Sequence, residues 1–222
     1  MELISVHVPK CAGTSLGDSL ACAYGREQIF FDSGDRLLDP RASINVDRKK
    51  YLREFDSVRD SVLAGKRVVH GHFCARKYDS LRAARFTMLR EPLDRLISHY
   101  LFWGHLESHG HGLHDRFLSE RPTIIDFARM PEFRHFYRDV MFLDVDMRTF
   151  DLIGSMENMD QTIAALQKLI GKKLCFEKNN TNHCEHCRQF RAEVMQSPRK
   201  LGTLRDLLAD EIEFYEKYTA GG

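Results

Sequence analysis

The first seventeen residues of the chain restrict its fold more than any other stretch. They read M-E-L-I-S-V-H-V-P-K-C-A-G-T-S-L-G. Residues 3–8 are apolar and β-branched, which predicts a buried strand that Pro9 ends. Thr14 or Ser15 can cap the helix that we expect over residues 15–24. A strand, a short loop and a helix N-terminus together form an anion site.

This loop predicts binding of a phosphate or sulfate ester. Backbone N–H groups of consecutive residues can converge on an oxyanion there, and these residues are Cys11, Ala12, Gly13, Thr14 and Ser15. Lys10 adds a mobile positive charge. The order is not that of a Walker A motif, which needs its lysine at the helix start, because Lys10 precedes Gly13. The structural alternative is a simple turn into a helix behind an exposed lysine.

A second feature is His70-Gly71-His72, at the end of a strand expected over residues 66–70. Alternation places the two histidines on one face, and Gly71 lets a backbone or a ligand approach closely. The carboxyl ends of parallel strands form a ligand crevice, so this segment should face the same space as the Lys10 loop. Histidine, with an ordinary pKa of about 6.5, can accept a proton from a hydroxyl. A structural histidine pair and a zinc site are the alternatives.

A third strand, over residues 85–89, runs into R-E-P-L-D-R-L-I-S-H-Y. Pro92 suits the first turn of a helix. Arg90 at the strand tip and Ser98 in the helix can point to one side, where an arginine fork and a hydroxyl would hold a second phosphate. The alternative is an ordinary amphipathic helix with surface arginines.

The three motifs P-K-C-A-G-T-S, H-G-H and L-R-E-P-L-D-R-L-I-S-H-Y cover about the first half of the chain. Together they resemble the sulfotransferases that use 3′-phosphoadenosine 5′-phosphosulfate (PAPS), and they are closest to the carbohydrate branch that sulfates heparan and uronyl 2-O positions. The resemblance implies a P-loop-type three-layer α/β fold, with a central, mainly parallel sheet flanked by helices. It also implies PAPS as co-substrate, with no metal required.

The resemblance also implies a role for each site residue. His72 would be the general base, with His70 beside it in the catalytic group. Lys10 would stabilise the leaving group, and the amides of residues 11–15 would hold the 5′-phosphate. Arg90 and Ser98 would bind the 3′-phosphate. The acceptor would be a hydroxyl of a carbohydrate or a glycan-containing small molecule.

Two other functions stay open from the sequence. A P-loop small-molecule kinase shares the order of strand, phosphate loop and helix. A binding module could keep the nucleotide pocket without catalysis, although the presence of both Lys10 and His72 argues against it.

Two tracts outside the motifs carry candidate ligands. In sulfotransferases a loop folds over the nucleotide at the place of Asn180 and Thr181, which we therefore expect to contact the cofactor. Cys184 and Cys187 follow, with His183 and His186 beside them, and we favour plain thiols over zinc or a redox pair because no second cysteine pair follows. Residues 105–114 are rich in histidine and glycine, and we expect a mobile loop at the acceptor site rather than a metal tract.

Composition sets further limits. A chain of 222 residues suits one domain over residues 1–222. Lys and Arg (33) balance Asp and Glu (32), so no overall field attracts nucleic acid. No stretch approaches the roughly 18 apolar residues of a membrane span, and the early first strand leaves no room for a signal peptide, so we expect a cytoplasmic protein. The oligomeric state is not predicted.

The rest of the sequence predicts further helices, strands and one long loop. We expect helices over residues 47–64, 159–170 and 201–218, a strand over 151–155, and a fifth short strand over 174–178. Residues 26–46 carry glycine, proline and scattered charges, which predicts mostly loop and a possible flap over a ligand.

Overall fold

Five parallel strands form the centre of the protein in the computed structural model, which describes residues 1–176 and 184–219. The strands are β1 (Leu3–Val6), β2 (Ile29–Asp32), β3 (Val68–Gly71), β4 (Ala84–Leu89) and β5 (Leu152–Ser155). Their order is β2-β3-β1-β4-β5, and each pairing is parallel. Because β1 lies between β3 and β4, the carboxyl ends of these three strands meet at one edge of the sheet. This is the parallel α/β architecture that the sequence predicted.

Helices cover both faces of the sheet. In the described ranges they are α1 (Gly13–Tyr24), α2 (Ser43–Val46), α3 (Arg48–Val62), α4 (Pro92–His105), α5 (Gly112–Glu120), α6 (Ile124–Arg129), α7 (Pro131–Arg134), α8 (Met159–Ile170), α9 (Glu185–Gln196), α10 (Pro198–Leu207) and α11 (Ala209–Thr219). The predicted bounds of α8 are confirmed, and α4 begins at Pro92 as expected.

Alternation along β1 divides the core into two clusters. Leu3 packs in one cluster with Leu16 of α1 and Leu166 of α8. Ile4 and Val6 pack in the other, which includes much of α4. Successive side chains of a strand point to opposite faces, so the two clusters lie on the two sides of the sheet. The three-layer arrangement is therefore confirmed.

Several local predictions were wrong. Residues 26–46 contain the edge strand β2, whose four residues are too short to show a clear period. Residues 174–176 form no strand, and the predicted helix over 201–218 is two helices that divide at Leu208. Residues 112–114 of the histidine-rich tract belong to helix α5, not to a loop. Helix α1 begins at Gly13, and neither Thr14 nor Ser15 caps it.

Gly71 fills the role that its sequence position suggested. A Cβ atom there would lie 1.8 Å from the carbonyl oxygen of Asp32 on β2, and the φ angle of +156° is one that other residues rarely adopt. Only glycine allows the two backbones to pair this closely. The close approach of another backbone is confirmed.

A buried ion cluster ties the end of β2 to the segment after β3. The Lys77 Nζ atom donates hydrogen bonds to Asp32 Oδ2 (2.8 Å) and Asp35 Oδ1 (2.7 Å). Asp35 Oδ2 also accepts the Cys74 amide at 2.7 Å. Burial alone would lower the pKa of Lys77, but the two carboxylates outweigh it and raise this pKa above its usual value. The cluster therefore fixes the backbone directly after His72.

We expect Lys77→Met to lower the free energy of unfolding by about 3–5 kcal/mol, because two carboxylates would be left buried without their cation. Lys50→Met is the matched control, since Lys50 pairs with Glu54 on the surface at 3.8 Å, and it should cost no more than about 0.5 kcal/mol. Urea denaturation at neutral pH measures both. Equal, small losses in the two variants would contradict the role given to the cluster.

Candidate active site

The loop between β1 and α1 has an unusual backbone. Lys10 and Ala12 both adopt left-handed conformations, with φ angles of 69° and 55°. Non-glycine residues rarely occupy this region, and where they do the surrounding structure holds them there. The loop thus turns tightly enough for helix α1 to begin at Gly13.

The start of α1 offers backbone donors. The Leu16 amide donates to the Ala12 carbonyl at 3.0 Å, which is the first bond along this helix. The amides of Ala12, Gly13 and Thr14 precede that bond, and the N–H groups at the start of a helix lack partners within it. Backbone donors at the positive end of a helix dipole are the usual setting in which proteins bind anions. Thr14 is exposed and Ser15 is buried within this first turn.

The Cys11 amide does not have the ligand-binding role that the sequence predicted. It donates to the Val8 carbonyl at 3.1 Å, so this N–H closes the loop instead of pointing to a ligand. The Cys11 thiol is buried, and burial raises the thiol pKa to about 12. Cys11 is therefore a neutral residue that shapes the loop.

Three histidines stack at the edge of the sheet. The His7 ring lies 5.4 Å from the His70 ring and 4.0 Å from the His72 ring, centroid to centroid. The His7 amide also donates to the Gly71 carbonyl at 2.8 Å, which extends the pairing of β1 with β3 past the end of β1. Sequence reasoning missed His7. The available signal was its position at the end of β1, equivalent to that of His72 at the end of β3.

His70 is bonded at both ring nitrogens. Nε2 lies 3.0 Å from the Gly13 carbonyl, and Nδ1 lies 2.9 Å from Ser5 Oγ. A carbonyl only accepts, so Nε2 carries the proton and Nδ1 accepts from the serine hydroxyl. Burial lowers the pKa of His70 to about 4. At neutral pH this ring is therefore uncharged, and its lone pair is occupied.

His72 presents the opposite arrangement. Its Nδ1 donates to the His7 carbonyl at 2.7 Å, which fixes the proton on that nitrogen. Nε2 then carries a lone pair, and no residue in the described ranges is hydrogen-bonded to it. Burial lowers the pKa of His72, and the bond to the His7 carbonyl partly offsets this. The ring is held as a neutral base with a defined accepting atom.

Lys10 and Arg90 bring two cations to the same edge. An Arg90 guanidinium nitrogen donates to the Lys10 carbonyl at 3.3 Å. Lys10 Nζ lies 3.9 Å from the centre of the Phe102 ring, and burial together with Arg90 lowers its pKa. Within residues 1–176 and 184–219, neither cation forms a salt bridge, and Ser98 Oγ has no hydrogen-bond partner. Two cations without carboxylate partners indicate an anion site.

Tyr137 and Glu211 hold the Arg90 backbone in place, a function that the sequence predicted for neither residue. The Tyr137 hydroxyl donates to the Arg90 carbonyl at 2.5 Å and accepts the Arg90 amide at 3.2 Å. The Tyr137 amide in turn donates to the buried Glu211 carboxylate at 2.8 Å. These bonds connect positions 47 and 74 residues apart, so no local sequence pattern could reveal them.

Asn180 and Thr181 lie outside the described residues, and their predicted contact with the nucleotide stays a prediction. Among the residues that the structure does describe, no helix has both the length and the apolar character needed to cross a bilayer.

A parallel sheet with a helix N-terminus at its carboxyl edge is typical of α/β proteins that bind phosphate or sulfate esters. The sequence matches the family model described as "Sulfotransferase family" over residues 1–218, and the chain therefore belongs to this family. Its activity is in general terms the transfer of a sulfuryl group. A search of curated proteins found no match.

Two solved structures are similar to the chain. A sulfotransferase from Alicyclobacillus acidocaldarius shares 18% identity at a TM-score of 0.41, over 94% of this chain and 95% of that chain. The mouse sulfotransferase SULT7A1, complexed with PAP, shares 13% identity at a TM-score of 0.36, over 86% of this chain and 63% of that chain.

We expect Gly13→Ala to damage the site, because the new Cβ atom would lie 1.8 Å from the His7 ring. The ring must move, and with it the stack that holds His72, at an overpacking cost of about 1–3 kcal/mol. Gly202→Ala is the control, since nothing lies within 4 Å of its Cβ position, and it should stabilise helix α10 by about 0.5–1 kcal/mol. Thermal unfolding measures both. A Gly13→Ala protein as stable as wild type would refute the contact.

Proposed function

We propose that the protein transfers a sulfuryl group from PAPS to a hydroxyl of a carbohydrate or a glycan-containing small molecule. One observation carries the proposal. A neutral histidine with a free Nε2 atom, His72, lies at the same sheet edge as two cations without carboxylate partners, Lys10 and Arg90. Sulfuryl transfer needs a base on the acceptor side and positive charge on the leaving-group side.

The phosphates of the nucleotide would take two places. The amides of Ala12, Gly13 and Thr14 would hold the 5′-phosphate at the N-terminus of α1. The Arg90 guanidinium and the Ser98 hydroxyl would hold the 3′-phosphate, because an arginine fork matches the geometry of phosphate oxygens. The bonds from Tyr137 fix the Arg90 backbone and so aim this side chain.

His72 would act as the general base. Its Nε2 would accept the proton of the acceptor hydroxyl while the acceptor oxygen forms its bond to sulfur and the bond from sulfur to the phosphate oxygen breaks. Lys10 would stabilise the negative charge that grows on this leaving oxygen. The His7 carbonyl, which accepts from Nδ1, would stabilise the imidazolium that results.

For His70 we propose a positioning role in place of the catalytic one expected from the motif. Its two bonds join Ser5 on β1 to Gly13 on α1, and its ring packs beside His7. A ring with both nitrogens occupied and a pKa of about 4 cannot accept a proton at neutral pH without breaking one of these bonds.

The carbohydrate part of the proposal has a narrower basis. It rests on the resemblance of His70-Gly71-His72 to the motif of the heparan and uronyl 2-O-sulfotransferase branch. The segment after β2 contacts the backbone just after His72, because Asp35 Oδ2 accepts the Cys74 amide, and it also contacts the segment after α4. Arg36 of the first segment donates to the Gly110 carbonyl of the second at 2.9 Å.

The cofactor assignment is tested by calorimetric titration with 3′-phosphoadenosine 5′-phosphate, AMP and ATP. We expect the bisphosphate to bind most tightly to wild type. In Arg90→Ala its affinity should fall about 10- to 100-fold, as expected for losing hydrogen bonds to a charged group, and should approach that of AMP. Arg129→Ala is the control, because Arg129 pairs with Asp126 on the exposed surface.

Two outcomes would replace the proposal. Preference for ATP with magnesium, followed by phosphoryl transfer, would establish the small-molecule kinase. Binding of the bisphosphate without sulfuryl transfer to any hydroxyl in a panel of sugars and glycosides would establish the non-catalytic module.

We expect His72→Ala to lower turnover about 10²- to 10⁴-fold, the usual contribution of a general base, with bisphosphate affinity unchanged. In wild type kcat/KM should be flat at neutral pH and fall as the pH drops through the His72 pKa, which burial places below 6.5. Transfer of labelled sulfate from PAPS across a pH series measures this, with the surface variant Arg129→Ala as control. Near wild-type turnover in His72→Ala would refute the base assignment.

A further inference from the structure

Three candidate metal ligands meet away from the nucleotide site. His105 is the last residue of α4, Cys184 immediately precedes α9, and Cys187 lies in the first turn of α9. The His105 Nε2 atom lies 4.0 Å from the sulfur of each cysteine. All three ligand atoms lie within 4.8 Å of one another.

The surroundings of these atoms prepare them to bind a metal. His105 Nδ1 donates to the Leu101 carbonyl at 2.7 Å, which fixes the proton there and leaves the lone pair of Nε2 facing the sulfurs. Metal-binding histidines are usually oriented by such a bond from the other ring nitrogen.

We propose that His105, Cys184 and Cys187 bind a zinc ion. Two thiolates and an imidazole are ligands that zinc prefers, at distances of about 2.3 Å and 2.0 Å. In a tetrahedral site these lengths give a nitrogen-to-sulfur distance of about 3.5 Å, so the present 4.0 Å needs only a small inward movement. The fourth position is open to water or to His186, whose ring centroid lies 6.3 Å from that of His105.

The sequence alone favoured plain thiols because the third ligand is not part of the tract around the cysteines. Cys184 and Cys187 supply two ligands, and no second cysteine pair follows them. The third ligand comes from 79 residues before Cys184 and is brought there by the packing of α4 against α9. Tyr100 of α4 stacks on Phe190 of α9 at 5.2 Å, which aligns the two helices.

The ion would fasten the start of α9 to the end of α4. Helix α4 also carries Ser98, which would hold the 3′-phosphate, and Phe102, whose ring contacts Lys10. Toward its N-terminus the same helix is linked to α9 by an ion pair between Asp94 and Arg191. The zinc site would therefore act as a structural clamp at the opposite end of α4, and it would contribute to stability without taking part in sulfuryl transfer.

The test uses the full chain without an affinity tag, purified under reducing conditions without chelator. Elemental analysis should find about one zinc per chain in wild type. His105→Ala and the double variant Cys184→Ser/Cys187→Ser should bind zinc at least about ten-fold more weakly. The matched control is Cys22→Ser/Cys175→Ser, which removes two exposed cysteines elsewhere and should keep the zinc.

A second measurement stays informative if the variants fold poorly. Wild type stripped with chelator should unfold at a lower temperature and recover when zinc is added back. Cobalt in place of zinc should give a thiolate-to-cobalt charge-transfer band that His105→Ala alters. Absence of zinc and of the cobalt spectrum, equal zinc affinity in the ligand variants, or a disulfide between Cys184 and Cys187 in the reduced preparation would overturn the proposal. None of these readouts depends on sulfotransferase activity.

Discussion

The hydrogen bonds of His70 are the interaction on which the site depends. One ring joins the central strand β1, through Ser5 Oγ, to the first turn of α1, through the Gly13 carbonyl. This sets how closely the helix start approaches the sheet, and only glycine leaves room there for the neighbouring His7 ring. His7 in turn supplies the carbonyl that orients His72. A buried neutral histidine thus aligns the anion site with the proposed base.

The cations at the carboxyl edge of the sheet differ in whether carboxylates neutralise them. Beside β2, Lys77 is neutralised by Asp32 and Asp35, so this charge cluster serves stability. At the ends of β1 and β4, in the described part of the chain, Lys10 and Arg90 form no salt bridge. Cations gathered without counter-charges repel one another, and burial together with the nearby Arg90 lowers the pKa of Lys10. Binding an anion relieves this repulsion, which is why the arrangement favours a phosphate- or sulfate-bearing ligand.

Helix α4 connects the parts of the molecule that matter for the proposed chemistry. Its start follows Arg90, its middle carries Ser98, and its last residue, His105, faces the cysteine pair before α9. A helix is stiff along its axis, so fixing its far end limits the movement of residues that line the site. The proposed zinc site would therefore support the nucleotide site through one rigid element.

The sequence by itself determined the parallel α/β fold through its resemblance to the sulfotransferases, because that resemblance rests on local motifs that follow Val8, His70 and Leu89 along the chain. It also marked Lys10, His72 and Arg90 by residue type at strand ends. Tertiary structure alone decided which atoms are available. The Cys11 amide is used within its loop, and His70 is bonded on both sides while His72 is not. It also brought His105 to Cys184, since contacts between distant segments arise from packing and leave no periodic trace in the sequence.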